Sequence, residues 1–406
     1  MGKKALRSRF LFNSRSGTLE ENREVIISDN IIESVGEIGT TPLSDEIEII
    51  DLGAATLLPG LADCHVHYGL NGETSFELPM LKELIPFQAI RAAGYARKDL
   101  EAGFTMIRAV GDKGFLDVAL RQAIKAGFIE GPRLSVSGHM LAVTGGRDAF
   151  APGVSFDENL FTVCDGPDGV AKAAREQLKY GADWIKLGVT GAITAGDGLP
   201  GAQQFTEEEM KSAVACARLY GKKVSGHAHG AEGIKAAVRS GIDSIEHACL
   251  ADEESLLMMA DAGTYWVPTL SPVHLIVLHG IEKGIPPQIV ERSKAVNEHH
   301  MKVFARAFEL GVRIVMGTDV GMPFNPHGGN ALELELMGKA GMPSVEVLRS
   351  ATINAAEMLG WTGKTGEVAK GCYADIIGVR GNPLEDLSLL QSPSFVMKDG
   401  IIYKNR

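Results

Sequence analysis

The sequence predicts an α/β protein: a distorted (β/α)8 barrel carrying a small β-sandwich assembled from the two chain ends. Three observations lead there. Short β-type runs stand at both termini. Between them, eight β-branched runs alternate with amphipathic helical stretches. Several of those eight runs close on polar side chains of the kind that hold metals or move protons.

The opening runs are "SRFLF", "REVIIS", "NIIESVGE" and "EIEIIDLG", separated by turn residues such as "SDN". The closing runs are "ADIIGVRGN", "PSFVMKDG" and "IIYK". Residues 1–58 and 359–406 are expected to meet as one small domain, with a barrel over residues 59–358 inserted between them. Barrel strands are predicted near "ADCHVHY", "FTMIRAVG", "RLSVSG", "DWIKLGV", "KKVSGHA", "DSIEHA", "TYWVPTL" and "VRIVMGTD". One intervening helix, "TEEEMKSAVACARLYG", has Thr206 placed as N-cap and Glu209 three residues on, the pattern of a capping box, and it stops at Gly221.

Composition narrows the function. The 406 residues are 45% hydrophobic and 22% charged, which is ordinary for a globular protein with a sizeable core. A net charge of −11 argues against a broad nucleic-acid footprint. No apolar run is long enough to span a membrane. The basic start "MGKKALRSRFLFNSRSG" lacks the apolar stretch of a secretory signal. The five cysteines (Cys64, Cys164, Cys216, Cys249 and Cys372) form no C-x-x-C pair and read as reduced thiols. The expectation is a cytoplasmic protein that acts on a small molecule and has neither nucleic acid nor membrane as partner.

In a barrel of this kind chemistry sits at the C-terminal strand ends. The first strand ends in His65 and His67, which share a face because strand side chains repeat every two residues. Lys186 lies on the fourth strand, His227 ends the fifth, His247 the sixth and Asp319 the eighth. Four imidazoles and a carboxylate suit divalent metals such as zinc. A lysine ammonium would repel such cations. As a carbamate, made by adding carbon dioxide to the neutral amine, the same lysine becomes an anionic bridge with two oxygens. Two metals sharing it would supply a nucleophile at neutral pH and polarise a carbonyl.

"LPGLADCHVHYGL", the strand-four lysine, "GHAHG", "IEHA" and "GTD" resemble the amidohydrolase superfamily in its binuclear, carbamylated-lysine form. The tail "SATINAAEMLGWTGKTGEVAKGCYADIIGV" resembles the segment that re-enters the small domain there. "GADWIKLGVTG", "QFTEEEM", "HAHGAEGIKAAV" and "GIDSIEHA" are most similar to the Xaa-Pro dipeptidase, arginine/lysine carboxypeptidase and imidazolonepropionase-like branch. The resemblance implies that His65, His67 and Asp319 hold one metal, that His227 and His247 hold a second, and that carbamylated Lys186 bridges them. It implies a bridging hydroxide as nucleophile, Asp319 as the proton carrier and a homo-oligomer in solution; zinc is the expected metal, with manganese, cobalt and iron left open because all tolerate this N/O set.

Other residues near the mouth are weighed against structural readings. His229 shares the face of His227 and is expected either to touch substrate or to make a structural hydrogen bond. His139, Arg147 and His327 fall near strand ends and are candidate substrate contacts, against packing or a surface ion pair. Glu246, on a regular strand, faces away from the mouth and reads as packing. His299 and His300 fall in a helical stretch and read as packing or solvent-facing. The function expected is hydrolysis of a C–N amide bond in a small substrate bearing a carboxylate, such as a dipeptide or N-acyl amino acid. The alternatives are a non-peptide amide, urea, carbamate or lactam, then an aromatic deaminase, then a non-catalytic scaffold.

Overall fold

The computed structural model describes residues 2–42, 44, 47–74, 82–146, 161–193 and 201–406. The chain ends form a single mixed sheet of eight strands: β1 (Lys4–Asn13), β2 (Thr18–Ser28), β3 (Ile31–Glu37), β4 (Glu48–Asp51) and β5 (Ala55–Pro59) from the N-terminal side. The later segment β16 (Ile376–Arg380), β17 (Phe395–Lys398) and β18 (Ile401–Asn405) completes it. β16 pairs antiparallel with β5, with Ile376 opposite Pro59 and Arg380 opposite Ala55, so two segments more than 300 residues apart share one ladder. The sheet curls back as two layers. Ile32 N donates to Cys372 O (2.9 Å) and Ala374 N to Asn30 O (2.8 Å), bringing β3 against the approach to β16. Leu6, Val25, Ile27, Ile376, Phe395 and Met397 fill the space between the layers. Phe12, Leu58 and Val396 join the main core instead and fasten this domain to the barrel.

The barrel strands are β6 (Leu61–Val66), β7 (Phe104–Ala109), β8 (Arg133–Ser135) continued by β9 (Met140–Ala142), β11 (Trp184–Gly188), β12 (Lys223–Gly230), β13 (Ser244–Leu250), β14 (Tyr265–Val267) and β15 (Arg313–Ile314). A short β10 (Phe161–Val163) adds to β9. All neighbours pair parallel, which requires the helical crossovers that the alternation predicted. The ring closes through backbone bonds beyond β15: Cys64 N donates to Met316 O (3.0 Å), Asp319 N to His65 O (2.7 Å) and His67 N to Val320 O (3.1 Å). Across the β8–β9 break, Trp184 N donates to Val136 O (3.1 Å). That break departs from the single third strand expected. The buried Asp117 carboxylate accepts from Ser137 N and Gly138 N (both 2.9 Å) and Gln177 Oε1 from His139 N (2.9 Å), so side chains replace the missing ladder partners.

The helix Glu207–Leu219 starts as expected. Thr206 Oγ1 accepts from Glu209 N (3.3 Å) while Thr206 N donates to Glu209 Oε2 (2.8 Å). No helix among the described residues is long and apolar enough to cross a membrane.

Candidate metal centre

Three histidine rings are turned by a partner on Nδ1. His67 Nδ1–H donates to Gly111 O at 2.6 Å, and His65 Nδ1–H donates to the Glu246 carboxylate at 2.8 Å. His247 Nδ1 is hydrogen-bonded to the Thr269 hydroxyl at 2.7 Å. A ring whose Nδ1 is engaged in this way presents Nε2 as a lone-pair donor, the arrangement by which proteins prepare metal-ligating imidazoles. His65 Nε2 and His67 Nε2 stand 3.5 and 3.4 Å from Asp319 Oδ1. One ligand atom from each of His65, His67 and Asp319 lies within 4.8 Å of the others, and the same holds for His227, His229 and His247. The two groups adjoin: the ring centroids of His65 and His247 are 4.8 Å apart and those of His227 and His247 4.5 Å. Lys186 is 1% exposed, one strand from His227, and lines the same cavity of about 430 Å³. The structure thus collects all six expected ligand positions at the strand ends and adds His229 to the second group. Donor set and orientation fit a pair of divalent cations.

The strand ends are bent to achieve this. His247, Ala248, Thr269 and Asp319 all have left-handed backbones, with φ of 72°, 49°, 52° and 58°. Non-glycine residues take that conformation at a cost of about 1–3 kcal/mol each, and such strain concentrates at functional sites. Gly317 permits the close approach of the eighth strand: a Cβ there would overlap Val267 and stand 3.0 Å from His65 Cβ. Gly317→Ala is therefore expected to cost about 1–3 kcal/mol in urea unfolding and to displace His65.

Behind the rings lies a buried polar layer. Arg108 is fully buried and donates to Glu246 Oε1 (2.7 Å), Cys64 O (2.7 Å) and the Ser244 hydroxyl (2.8 Å). Glu246 holds His65 with its other oxygen. The packing assigned to Glu246 from the sequence is thus corrected: it orients a candidate ligand. A signal was present. Arg108 and Glu246 are single opposite charges on otherwise apolar strands, and buried charges pair. Asp63 ties the first strand to the eighth, accepting from His65 N (3.1 Å), Thr318 Oγ1 (2.6 Å) and Asn330 Nδ2 (2.8 Å); burial pushes its carboxyl up to about 6.

Other expected contacts lie elsewhere. His327 stacks between Tyr68 and Tyr95, with centroids 5.0 and 4.4 Å away, and bonds Asp99 through Nδ1 at 2.9 Å. It stands behind His67, away from the cavity wall. His139 stacks on Phe115 at 4.1 Å, with Nδ1 3.2 Å from the Thr162 hydroxyl, also off the wall. Arg147 lies outside the described residues.

His300 is buried in the helix Pro287–Glu309, its ring 6.0 Å from that of Trp266, and burial lowers it to about 4. Its folded-state value is depressed, so its contribution is complete above the free value near 6.5 and is lost as pH falls through 4. Wild type is expected to lose roughly 3 kcal/mol more than His300→Gln between pH 7 and pH 4, measured by urea unfolding at each pH.

Residues 56–404 match the model of the amidohydrolase family. Ochratoxinase from Aspergillus niger is 32% identical over 94% of this chain and 83% of its own. The solved structure of a Xaa-Pro dipeptidase with bound methionine in its active site superposes with a TM-score of 0.91 at 36% identity, covering 99% of this chain and 100% of that one. A prolidase complexed with N-methylphosphonate-L-proline gives a TM-score of 0.91 at 29% identity, with complete coverage of both chains. The chain belongs to the amidohydrolase family and is a hydrolase of carbon–nitrogen bonds.

Proposed function

We propose that this protein hydrolyses the amide bond of a small substrate carrying a carboxylate, a dipeptide or an N-acyl amino acid, at a centre of two divalent cations. The observation that carries the reading is the convergence of His65, His67, Asp319, His227, His247 and Lys186 on one cavity at the barrel's strand ends. The methionine and the phosphonate-proline held by the two solved relatives are both amino-acid carboxylates, which supports the substrate class.

His65, His67 and Asp319 would hold one cation, and His227 and His247 the other. Lys186 would serve both as a carbamate: its neutral amine adds to carbon dioxide, one proton leaves, and the single negative charge is shared by two oxygens. Bound there, the cations, zinc in the first instance, supply an activated water and an electrophile for the scissile carbonyl. Asp319, between His65 and His67, accepts the proton of the attacking water and passes it to the departing amine. Glu246 and Gly111 keep His65 and His67 in the ligating tautomer and orientation.

The test is a hydrolysis screen in bicarbonate buffer with zinc. Dipeptides, N-acyl amino acids, phenylureas and simple lactams are offered to wild type and to Lys186→Ala. Amine release from the first two classes, lost in Lys186→Ala, is the expected result. Turnover confined to ureas or lactams would refute the substrate class, and undiminished activity of Lys186→Ala would refute the two-metal reading.

A further inference from the structure

Glu333 is a fully buried carboxylate that the chemistry above does not use. It stands on the helix Leu332–Lys339 and reaches across to the start of another helix, Leu270–His279. Its Oε1 accepts from Leu270 N (2.7 Å), and its Oε2 accepts from Ser271 N (2.8 Å) and from the Ser271 hydroxyl. Three donors on two oxygens suit an ionised carboxylate, and the positive end of a helix dipole favours one there. Burial works against the charge and pushes the carboxyl up to about 7.

Thr269, the N-cap of that second helix, shows what the carboxylate does. A threonine at an N-cap ordinarily gives its hydroxyl to the N–H of the second or third helical residue. Here neither is open to it. The third residue is Pro272, which has no N–H. The second is Ser271, whose N–H is taken by Glu333. Thr269 makes no side-chain cap bond among the described residues and adopts a left-handed backbone, with φ 52° and ψ 58°. A β-branched residue takes that conformation only where its surroundings impose it. The turn brings the Thr269 hydroxyl to His247 Nδ1 at 2.7 Å. Three residues earlier, Trp266 Nε1 donates to His247 O (3.0 Å), so one short stretch grips both the ring and the backbone of this candidate ligand.

We infer that Glu333 is a positioning residue for His247: it caps the helix Leu270–His279 in place of Thr269 and so fixes the turn from which the Thr269 hydroxyl orients the ring. Glu333 is not among the residues that line the cavity and acts only through Thr269. This assignment rests on the two-cation reading above, and the test separates the two.

The zinc-loaded full chain is challenged with increasing chelator, above the pH at which Glu333 ionises, and the zinc retained per chain is counted. Glu333→Gln turns an acceptor into a donor facing the Ser271 N–H. It should hold one of the two cations roughly tenfold more weakly and the other as wild type does. Thr269→Val should do the same, and the double variant should be no weaker than either single one, because both act along one path. Leu334→Ala, a core truncation beside Glu333, should melt lower yet keep both cations. Ser271→Ala removes one of the three donors with little disturbance to the fold and should weaken the same cation by a smaller factor. Unaltered retention in Glu333→Gln or Ser271→Ala, equal weakening of both cations, or multiplied losses in the double variant would overturn the assignment. A second readout needs no metal: ring-nitrogen NMR of the full chain labelled in histidine, before zinc is added. The same ring signals should move in Glu333→Gln and in Thr269→Val and stay in place in Leu334→Ala. If they move together while wild type retains fewer than two zinc ions, the two-cation reading falls and the hold of Glu333 on His247 stands. Signals that move in Thr269→Val but not in Glu333→Gln would overturn the assignment.

Discussion

Asp319→Asn is expected to release amine from an N-acyl amino acid about 10³-fold more slowly than wild type, with the loss mainly in kcat, the size associated with removing a positioned acid–base group. The carboxylate sits 3.4–3.5 Å from the Nε2 atoms of His65 and His67. Asparagine keeps the shape and the left-handed backbone, which asparagine tolerates, but it can neither accept the water proton nor supply the negative charge. Steady-state kinetics with free-amine detection measures the effect. A kcat within tenfold of wild type would remove Asp319 from the proton path.

The second large effect lies one layer deeper. Glu246→Gln leaves the Arg108 guanidinium buried without its counter-charge, both side chains being fully inaccessible. Removing one partner of such a pair costs about 3–5 kcal/mol. The same change weakens the hold on His65 Nδ1, and loss of a partner of this kind typically lowers metal affinity 10–100-fold. Urea unfolding reads the first effect and competition with a zinc chelator reads the second. The pair Arg108→Met with Glu246→Leu separates them: stability should largely return, because no charge is left unpaired, while zinc affinity should stay low. Recovery of both would mean that Glu246 acts only as a countercharge.

How much of this was legible in the sequence depends on backbone geometry. That His65, His67, Lys186, His227, His247 and Asp319 face one cavity could be anticipated because each lies on, or just beyond, a separate barrel strand or shares one with its neighbour at i+2, and one βα unit separates His227 from His247. The cap formed by Thr206 and Glu209 could be read because its spacing is local. Glu246 was misplaced because period-two alternation puts it and His247 on opposite faces. The left-handed φ of 72° at His247 breaks that alternation, so both side chains reach His65. A register shift between β12 and β13 after Ala228 belongs to the same distortion. His327 and His139 were legible as lying near the mouth, but only packing shows that tyrosine rings enclose the first and that Phe115 and Thr162 hold the second.

The most direct test of the account is a zinc titration. The protein is stripped with a chelator and returned to bicarbonate buffer, and zinc is added in known equivalents while amine release from N-acetyl-L-phenylalanine is followed. The account predicts no hydrolysis by the stripped protein and a rise to a plateau at about two equivalents per chain, the number expected of a binuclear site. Hydrolysis that survives stripping, or a plateau at a single equivalent, would contradict it.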